Sequence, residues 1–377
     1  MLALSIRGSS VRSSMSLKVP MEIIFIGILL AHDAVLLLAG LINLHLPVSN
    51  MAFRAHASLW LQFDALIYEH IGQYGYTAGT STAFFPFLPI VIHFLSPWGT
   101  LILEQVVMYG CMRLLYSFAL RWLGEPKDAW FAVWLFAIGP CAVYYTSLYA
   151  ELWTLFFVLA AIELIISGRY ALAFAVSGLC SATQGDAVLM GIFPLAMLGF
   201  SILQRDRRAT LIAVLWGLSC AVGILAYMAY LQTKFGDAFM FSQVQSVGWG
   251  AHWVAPWSTL TAIGAEILHR NAKFVAAILL PFVVVAFGSV VATLRGGPRN
   301  WVGYGAKAYA LLGLLVSLMF ATEYPLHSSI RILSVFFPVY LGLAQIRSTS
   351  LRRLIAIISL FSCVVGTSLY VHGYFYQ

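Results

Sequence analysis

The feature that most constrains this chain is the near absence of charge over long stretches. Of its 377 residues, 61% are hydrophobic and only 9% are charged, whereas soluble domains carry roughly 25% charged residues. Such a chain cannot cover a surface that faces water, and runs of about 20 apolar residues are long enough to cross a bilayer as helices. They are too continuous for the alternating strands of a membrane barrel. The sequence therefore predicts an all-α polytopic membrane protein.

Eleven apolar runs are predicted to be transmembrane helices. They cover 21–44, 99–122, 129–147, 150–167, 170–184, 186–203, 209–231, 273–294, 304–322, 330–346 and 353–372. The first run is too long for the apolar core of a secretory signal, so we expect an uncleaved helix. Segment 84–97 is also apolar, but it is short and contains Pro86, Pro89 and Pro97. These features favour an interfacial or re-entrant segment.

The basic residues predict the orientation. With the N-terminus in the cytoplasm, 15 of the 21 Lys and Arg residues fall on the cytoplasmic side, five fall outside, and Arg113 lies within a span. This bias follows the positive-inside rule, so the excess of basic residues serves orientation rather than nucleic-acid binding. Loops 45–98 and 232–272 then both lie on the outer face. We expect a single integral membrane domain over 1–377, with catalytic residues in the first loop and donor or acceptor binding in the second.

The first outer loop holds a helical pattern with polar and aromatic residues on one face. His56, Trp60, Asp64 and Tyr68 recur at intervals of four residues, which places them on the same side of a helix. Desolvation of Asp64 at the membrane interface would favour a general base, although a helix-terminal charge or a solvated loop residue fits the same pattern. Glu69 lies about 140° away around the helix and is not expected to pair with Asp64.

Other polar residues fall at the outer ends of later helices. These are Glu151, the sequence Gln184-Gly185-Asp186, then Asp237, Gln243 and Trp249, and finally His327 and Arg331. Arg331 either snorkels towards water or binds a phosphate, for which its planar fork is suited. Asp33 and Glu104 lie mid-span, where contacts between helices account for them. The five cysteines fall in apolar runs without metal-ligand spacing, so we expect buried thiols.

No glycine-rich phosphate loop, catalytic Ser-His-Asp order or nucleotide-binding domain occurs in the sequence. Any glycosyl or phosphoryl donor is therefore expected to come from the membrane, already attached to lipid.

Several ordered motifs resemble the PIG-V mannosyltransferases, the GPI mannosyltransferase 2 family and its prokaryotic relatives. They extend from about residue 25 to the C-terminus. The motifs are Asp64 after an aromatic residue, Gly75-Tyr76, Ala83-Phe84-Phe85-Pro86, Tyr149-Ala150-Glu151-Leu152, Phe235-Gly236-Asp237-Ala238-Phe239 with Gln243 and Trp249, Ile330-Arg331 through Phe337-Pro338, and Tyr370-Val371-His372-Gly373.

The sequence also departs from that family. Phe63 stands where the family usually has Trp, and Gln184-Gly185-Asp186 stands at a junction where the family commonly has an Arg before an Asn-Gly pair. Ala150 replaces the family's Ser, and Ala238 replaces its Pro. These departures bear on which acceptor is used more than on the chemistry of the transfer.

The resemblance implies the GT-C fold and an inverting mannosyltransferase. Its donor would be polyprenyl (dolichyl) phosphate mannose, and its acceptor a glycolipid or glycan on the outer or luminal membrane face. Asp64 matches the family's catalytic Asp, and Arg331 with His327 would bind the donor phosphate. The remaining substrate-binding residues would be Trp60, Tyr68, Glu69, Glu151, Asp237, Gln243 and Trp249.

We expect no cofactor and no metal site, although Asp64, Glu69, Asp237 and Glu266 are the carboxylates from which a divalent-ion site would be built. Short loops and the lack of a cysteine in an outer loop favour a prokaryotic cell membrane over the endoplasmic reticulum. Two other classes stay open. A transporter or flippase of lipid-linked sugars would share the polytopic architecture, and a membrane scaffold subunit would share it without catalysis.

Overall fold

The computed structural model describes residues 20–42, 60–269, 273–321 and 329–373, with side chains except those of 266–283, 321, 329 and 330. His56, His327 and the side chain of Glu266 lie outside this description. So do residues 45–59 and 270–272 of the two predicted outer loops.

The described residues are almost entirely helical. The helices are α1 (Met21–Gly40), α2 (Asp64–Tyr74), α3 (Phe87–Leu123), α4 (Pro126–Ala137), α5 (Ala150–Ile166), α6 (Tyr170–Cys180), α7 (Ile192–Leu203), α8 (Arg207–Ser219), α9 (Val222–Phe235), α10 (Met240–Trp249), α11 (Pro256–His269), α12 (Lys273–Arg295), α13 (Trp301–Met319), α14 (Ser329–Val335), α15 (Pro338–Ala344) and α16 (Thr349–Val371). Three 3₁₀ segments cover Thr80–Ala83, Ala142–Thr146 and Gly185–Gly191. Two short strands, β1 (His252–Trp253) and β2 (Phe320–Ala321), pair antiparallel, with Trp253 opposite Phe320.

Each predicted transmembrane run coincides with one helix or with two consecutive shorter elements. Within the described residues, six stretches are long and apolar enough by themselves to cross a membrane: Met21–Gly40, Phe87–Leu123, Gly185–Leu203, Arg207–Phe235, Trp301–Met319 and Thr349–Val371. Other runs are divided. The run 330–346, for example, breaks before Pro338, which begins α15 because proline fits the first turn of a helix but lacks an N–H for its interior. The chain is thus an integral, multi-pass membrane protein.

Of the proline-rich segment 84–97, residues 87–97 form the first part of α3, and residues 84–86 precede the helix. Helix α3 is broken at Ser96, whose φ of 63° and ψ of 166° lie outside the helical region, directly before Pro97. The part from 87 to 95 rises only about 14 Å at 1.5 Å per residue, about half of the hydrocarbon thickness. The break therefore separates a short helix from the longer, membrane-crossing remainder.

Helix α5 is the central element of the bundle. It packs against α3, α6 and α14, while α1 packs on α16, α7 on α8 and α13, and α12 on α15. Rings of buried aromatic residues join these pairs: Tyr309 lies 5.4 Å from Phe193 and 4.5 Å from Phe336 between ring centroids. Contacts between aromatic rings stabilise the fold by more than their buried area alone would give.

Charged residues occupy both ends of α5. Glu163, near its C-terminus, forms an ion pair with Arg121, whereas Glu151, in its first turn, pairs with Arg331. The two glutamates are about 18 Å apart along the helix axis. The apolar middle of α5 therefore separates two polar ends of the bundle, and the predicted site residues collect at the Glu151 end.

Helices α6 and α9 approach each other closely at Gly223. A Cβ atom there would lie 2.3 Å from the carbonyl oxygen of Gly178 and 2.6 Å from the amide nitrogen of Ala182. We expect Gly223→Ala to lower the free energy of unfolding by about 1–3 kcal/mol, because backbone atoms cannot yield as a flexible side chain would. Denaturation of the purified protein in detergent measures this. The matched control is Gly199→Ala, since nothing lies within 4 Å of a Cβ at Gly199. Equal stability of the two variants would contradict the close approach.

Candidate functional site

A cavity of about 820 Å³ lies at the end of the bundle where α2, α5 and α14 meet. Most of its lining is aromatic or aliphatic, with a small number of polar groups, as is usual for sites that bind organic ligands. The polar and charged side chains that line it are Asp64, Tyr68, Tyr149, Glu151, Gln184, Asp186, Ser242, Gln243, Gln245, Ser246, His252, Trp249, Trp253 and Arg331.

Asp64 occupies the first turn of α2, where a carboxylate is favoured by the helix dipole. The preceding Phe63 has a φ of 51°, a conformation that a bulky residue adopts only when its surroundings impose it. Tyr370 supplies that constraint. Its hydroxyl lies 3.2 Å from both the backbone N and O of Gln62, and its ring lies 5.8 Å from that of Phe63. The C-terminal end of α16 thus fixes the start of α2.

Arg331, from α14, joins two of the cavity's carboxylates. Its Nη1 donates to Oδ2 of Asp64 at 2.5 Å, and its Nε lies 3.0 Å from Oε1 of Glu151, a charge contact that lacks the alignment of a hydrogen bond. The guanidinium also lies 5.5 Å from the ring centroid of Tyr149, within the range of cation–π attraction. We call Asp64, Glu151 and Arg331 the ion cluster. All three side chains are largely buried.

A further carboxylate, outside the cavity, supports the ion cluster. Glu104, buried in α3, accepts hydrogen bonds at 3.3 Å from the backbone N–H of Leu148 and from Nε1 of Trp153. Leu148 has a φ of 57° and precedes the start of α5 by two residues. Glu104 therefore makes the contacts between helices that its mid-span position indicates, and these contacts hold the strained turn that places Glu151.

The Phe84-Phe85 pair forms one wall of the cavity. The ring of Phe84 lies 5.0 Å from that of Tyr68 and 6.0 Å from that of Trp249. Phe85 faces the other way, with its ring 5.1 Å from Tyr227 and 5.4 Å from Phe241. This wall therefore links α2, α9 and α10.

Helix α10 covers part of the cavity with one face. Phe241, Ser242, Gln245, Ser246 and Trp249 line the cavity, and their spacing places them on adjacent positions of one helical side. Gly236 and Gly250 flank the helix with φ values of 81° and 62°, which glycine adopts without strain. The predicted residue Trp249 belongs to this face, and the predicted residue Gln243 lines the cavity as well.

Tyr68 contributes a hydroxyl that stays protonated. Burial raises its pKa, and the negative charges of Glu151 and Asp64 raise that pKa further. The hydroxyl can therefore donate a hydrogen bond to a ligand.

Three predicted substrate-binding residues do not line the cavity. Trp60 is partly buried and packs against the hydrophobic core. Glu69, on another side of α2, accepts a hydrogen bond from Gln73 at 3.0 Å. Asp237 accepts from the backbone N–H of Phe239 at 2.8 Å, closing a turn ahead of α10. His327, predicted as a phosphate ligand, lies outside the described residues.

Other cavity residues were not selected from the sequence. Gln184 and Asp186 stand out in the sequence as polar residues at a helix junction and as a departure from the family pattern, but no role is predicted for them there, and Gln245 and His252 carry no motif. The available signal was the position of Gln184 and Asp186 at that junction and of Gln245 and His252 in the second predicted outer loop, 232–272. Among the residues whose side chains are described, no group of three or more His, Cys, Asp or Glu could hold a metal ion.

The chain resembles known proteins in structure, but it matches none in sequence. No protein-family model matches the chain, and no curated protein matches it. The structure resembles ArnT from Cupriavidus metallidurans bound to undecaprenyl phosphate, with a TM-score of 0.53 at 14% identity over 89% of this chain and 62% of that one. It also matches the Archaeoglobus fulgidus oligosaccharyltransferase complex with Zn and sulfate, with a TM-score of 0.48 at 14% identity over 92% of this chain and 53% of that one.

This chain thus spans between half and two thirds of the length of the proteins it resembles. At 14% identity, the structural likeness is evidence about the fold alone. The all-helical architecture and the likeness to ArnT together show that this polytopic membrane protein has the GT-C fold.

Proposed function

We propose that this protein is a membrane glycosyltransferase that transfers a sugar from a polyprenyl phosphate donor to a glycolipid or glycan acceptor. The observation that carries the proposal is the ion cluster, in which one guanidinium joins Asp64 and Glu151 inside a largely apolar cavity. An arginine suited to phosphate beside a carboxylate suited to proton abstraction provides the two functions that such a transfer needs.

The donor phosphate would bind Arg331 by displacing one of its carboxylate partners. If it displaces Asp64, whose Oδ2 is 2.5 Å from Nη1, the carboxylate becomes free when the donor arrives. Asp64 then accepts the proton of the acceptor hydroxyl. The acceptor oxygen bonds to the anomeric carbon from the face opposite the phosphate, and the carbon–oxygen bond to the phosphate breaks. The electron pair passes to the phosphate, whose added negative charge Arg331 stabilises.

The lipid carrier, the sugar and the binding residues are each assigned from a different observation. ArnT binds undecaprenyl phosphate in its crystal structure, which supports a lipid phosphate as the carrier here. Mannose and inversion of configuration rest on the resemblance to the PIG-V family. Tyr68, Glu151, Gln243 and Trp249 line the cavity, and we assign them to donor or acceptor binding.

The distribution of Lys and Arg supports a cytoplasmic N-terminus and a site on the outer face. We place the protein in a prokaryotic cell membrane, as a single domain. The acceptor belongs to the glycolipids or glycans exposed on that face.

Replacement of the proposed base should abolish transfer. In membranes supplied with radiolabelled polyprenyl-phosphate-mannose, we expect Asp64→Asn to lower the transfer rate by about 10²–10⁴-fold, the usual contribution of general acid–base catalysis. Binding of undecaprenyl phosphate should persist, because Arg331 loses a competing carboxylate.

The matched control is Glu69→Gln, which changes a carboxylate of the same helix outside the cavity; it should keep wild-type transfer. Equal labelling by Asp64→Asn and wild type would exclude Asp64 as the base. Absence of labelled product with the wild-type protein would contradict the mannosyl assignment and leave the transporter alternative to be tested by lipid-translocation assays.

Loss of the guanidinium should affect both binding and stability. We expect Arg331→Gln to abolish binding of undecaprenyl phosphate to the purified protein. It should also lower the free energy of unfolding by about 3 kcal/mol, since two largely buried carboxylates are left without their cation.

The control for this variant is Arg121→Gln, which breaks the partly exposed pair with Glu163 at the opposite end of α5 and should change neither property appreciably. Retained lipid-phosphate binding by a folded Arg331→Gln protein would exclude Arg331 as the phosphate ligand.

A further inference from the structure

The cavity contains a third carboxylate, that of Asp186, which the ion cluster does not include. Asp186 lies in the 3₁₀ segment Gly185–Gly191, which follows Gln184 in an extended conformation (φ −164°, ψ 164°). Both Gln184 and Asp186 line the cavity. Gln184 precedes Asp186 by two residues, so one short segment presents both an amide and a carboxylate to the cavity.

The segment before Asp186 is anchored beside the ion cluster. The hydroxyls of Thr183 and Thr154 are hydrogen-bonded at 2.6 Å. Thr154 lies three residues after Glu151 and therefore on the same face of α5. The carbonyl of Ala182 accepts from the N–H of Phe87 at 3.0 Å. These contacts fix the position of Gln184 and Asp186 between α5 and the start of α3.

The Asp186 carboxylate has no cationic partner among the described residues. Arg331 is within electrostatic range, but its ion-pair contacts are to Asp64 and Glu151. A carboxylate in an apolar surrounding without a paired cation is costly. Neither the packing of α7 nor the turn at Gly185 requires an acidic side chain there, so the charge is best explained by a ligand that donates hydrogen bonds.

Asp186 lines the same cavity as Arg331, which suits a ligand that carries a sugar on a phosphate. In a lipid-linked donor the sugar is bonded directly to the phosphate, so a phosphate at Arg331 would bring the sugar into the cavity that Asp186 lines. Carboxylates accept charge-assisted hydrogen bonds from hydroxyl groups, and Phe84 and Trp249 supply aromatic surfaces in the same cavity.

We propose that Asp186, with Gln184 beside it in the same cavity, binds hydroxyl groups of the donor's sugar and thereby distinguishes the glycosylated lipid from the bare lipid phosphate. This assignment rests on the proposed function. It makes Asp186 a residue that determines specificity, distinct from the base Asp64 and from the phosphate ligand Arg331. The same preference would favour release of the bare polyprenyl phosphate after transfer.

The test compares two ligands that differ only in the sugar. Undecaprenyl-phosphate-mannose and undecaprenyl phosphate are bound to the full-length protein in nanodiscs, and the ratio of the two dissociation constants is measured. We expect Asp186→Asn to reduce the preference for the glycosylated lipid about tenfold or more. If Asp186 acted only on folding or on the overall charge, its replacement would change the binding of both ligands by the same factor. The ratio of the two dissociation constants would then stay unchanged.

The matched control is Asp206→Asn, which alters the cap of α8, where Asp206 accepts from the N–H of Ala209. Asparagine caps helices as well as aspartate, so the ratio should stay at the wild-type value. If Asp186→Asn fails to fold, Gln184→Met removes the second polar side chain that this segment presents to the cavity and keeps the carboxylate. It should lower the preference in the same direction.

The experiment distinguishes failure of the proposed function from failure of the role of Asp186. A wild-type protein that binds neither ligand would overturn the proposed function together with this inference. A wild-type preference that survives unchanged in both Asp186→Asn and Gln184→Met would overturn only the role of Asp186.

Discussion

The arrangement of the site depends on one guanidinium inside a largely apolar cavity. Arg331 contacts Asp64 on one side and Glu151 on the other, so three chain segments that are far apart in sequence are held by a single side chain. Charges in such surroundings are stable only when they are paired. The cluster therefore requires α2, α5 and α14 to converge at one end of the bundle. In the proposed reaction, a phosphate that displaces Asp64 from Arg331 would couple arrival of the donor to release of the base.

The supports of this cluster are backbone constraints rather than further charges. Phe63 and Leu148 both adopt positive φ values, and each conformation is held by a buried side chain from another helix. Tyr370 binds the backbone of Gln62, and Glu104 binds that of Leu148. Strain of this kind persists only where surrounding contacts determine it, and it is found most often at functional sites. The buried carboxylate of Glu104 thus acts on the site without reaching the cavity.

Of the predicted site residues, Asp64, Tyr68, Glu151, Gln243, Trp249 and Arg331 line the cavity. The predicted residues that do not line the cavity are excluded by the direction or the local hydrogen bonding of their side chains, which the sequence pattern does not show. Glu69 and Tyr68 are adjacent in sequence, but a helix turns each residue by about 100°, and Glu69 points along a different side. Asp237 belongs to a motif that resembles the family's second loop, yet its carboxylate closes a turn. Asp186, to which the sequence assigned no role, lines the cavity.

Hydropathy and charge are properties of local stretches, so the class of the protein follows from its amino-acid order: long apolar runs predict membrane helices, and clustered basic residues predict orientation. The same order indicates which ends of the helices carry polar chemistry. Which polar groups meet, in contrast, depends on the packing of the folded chain. The contact between Arg331 and Asp64 joins residues 267 positions apart, and the placement of Asp186 near Glu151 depends on how α5 packs beside the junction at Gly185. Packing of helices against one another selects these neighbours, and no periodicity within a single helix encodes that choice.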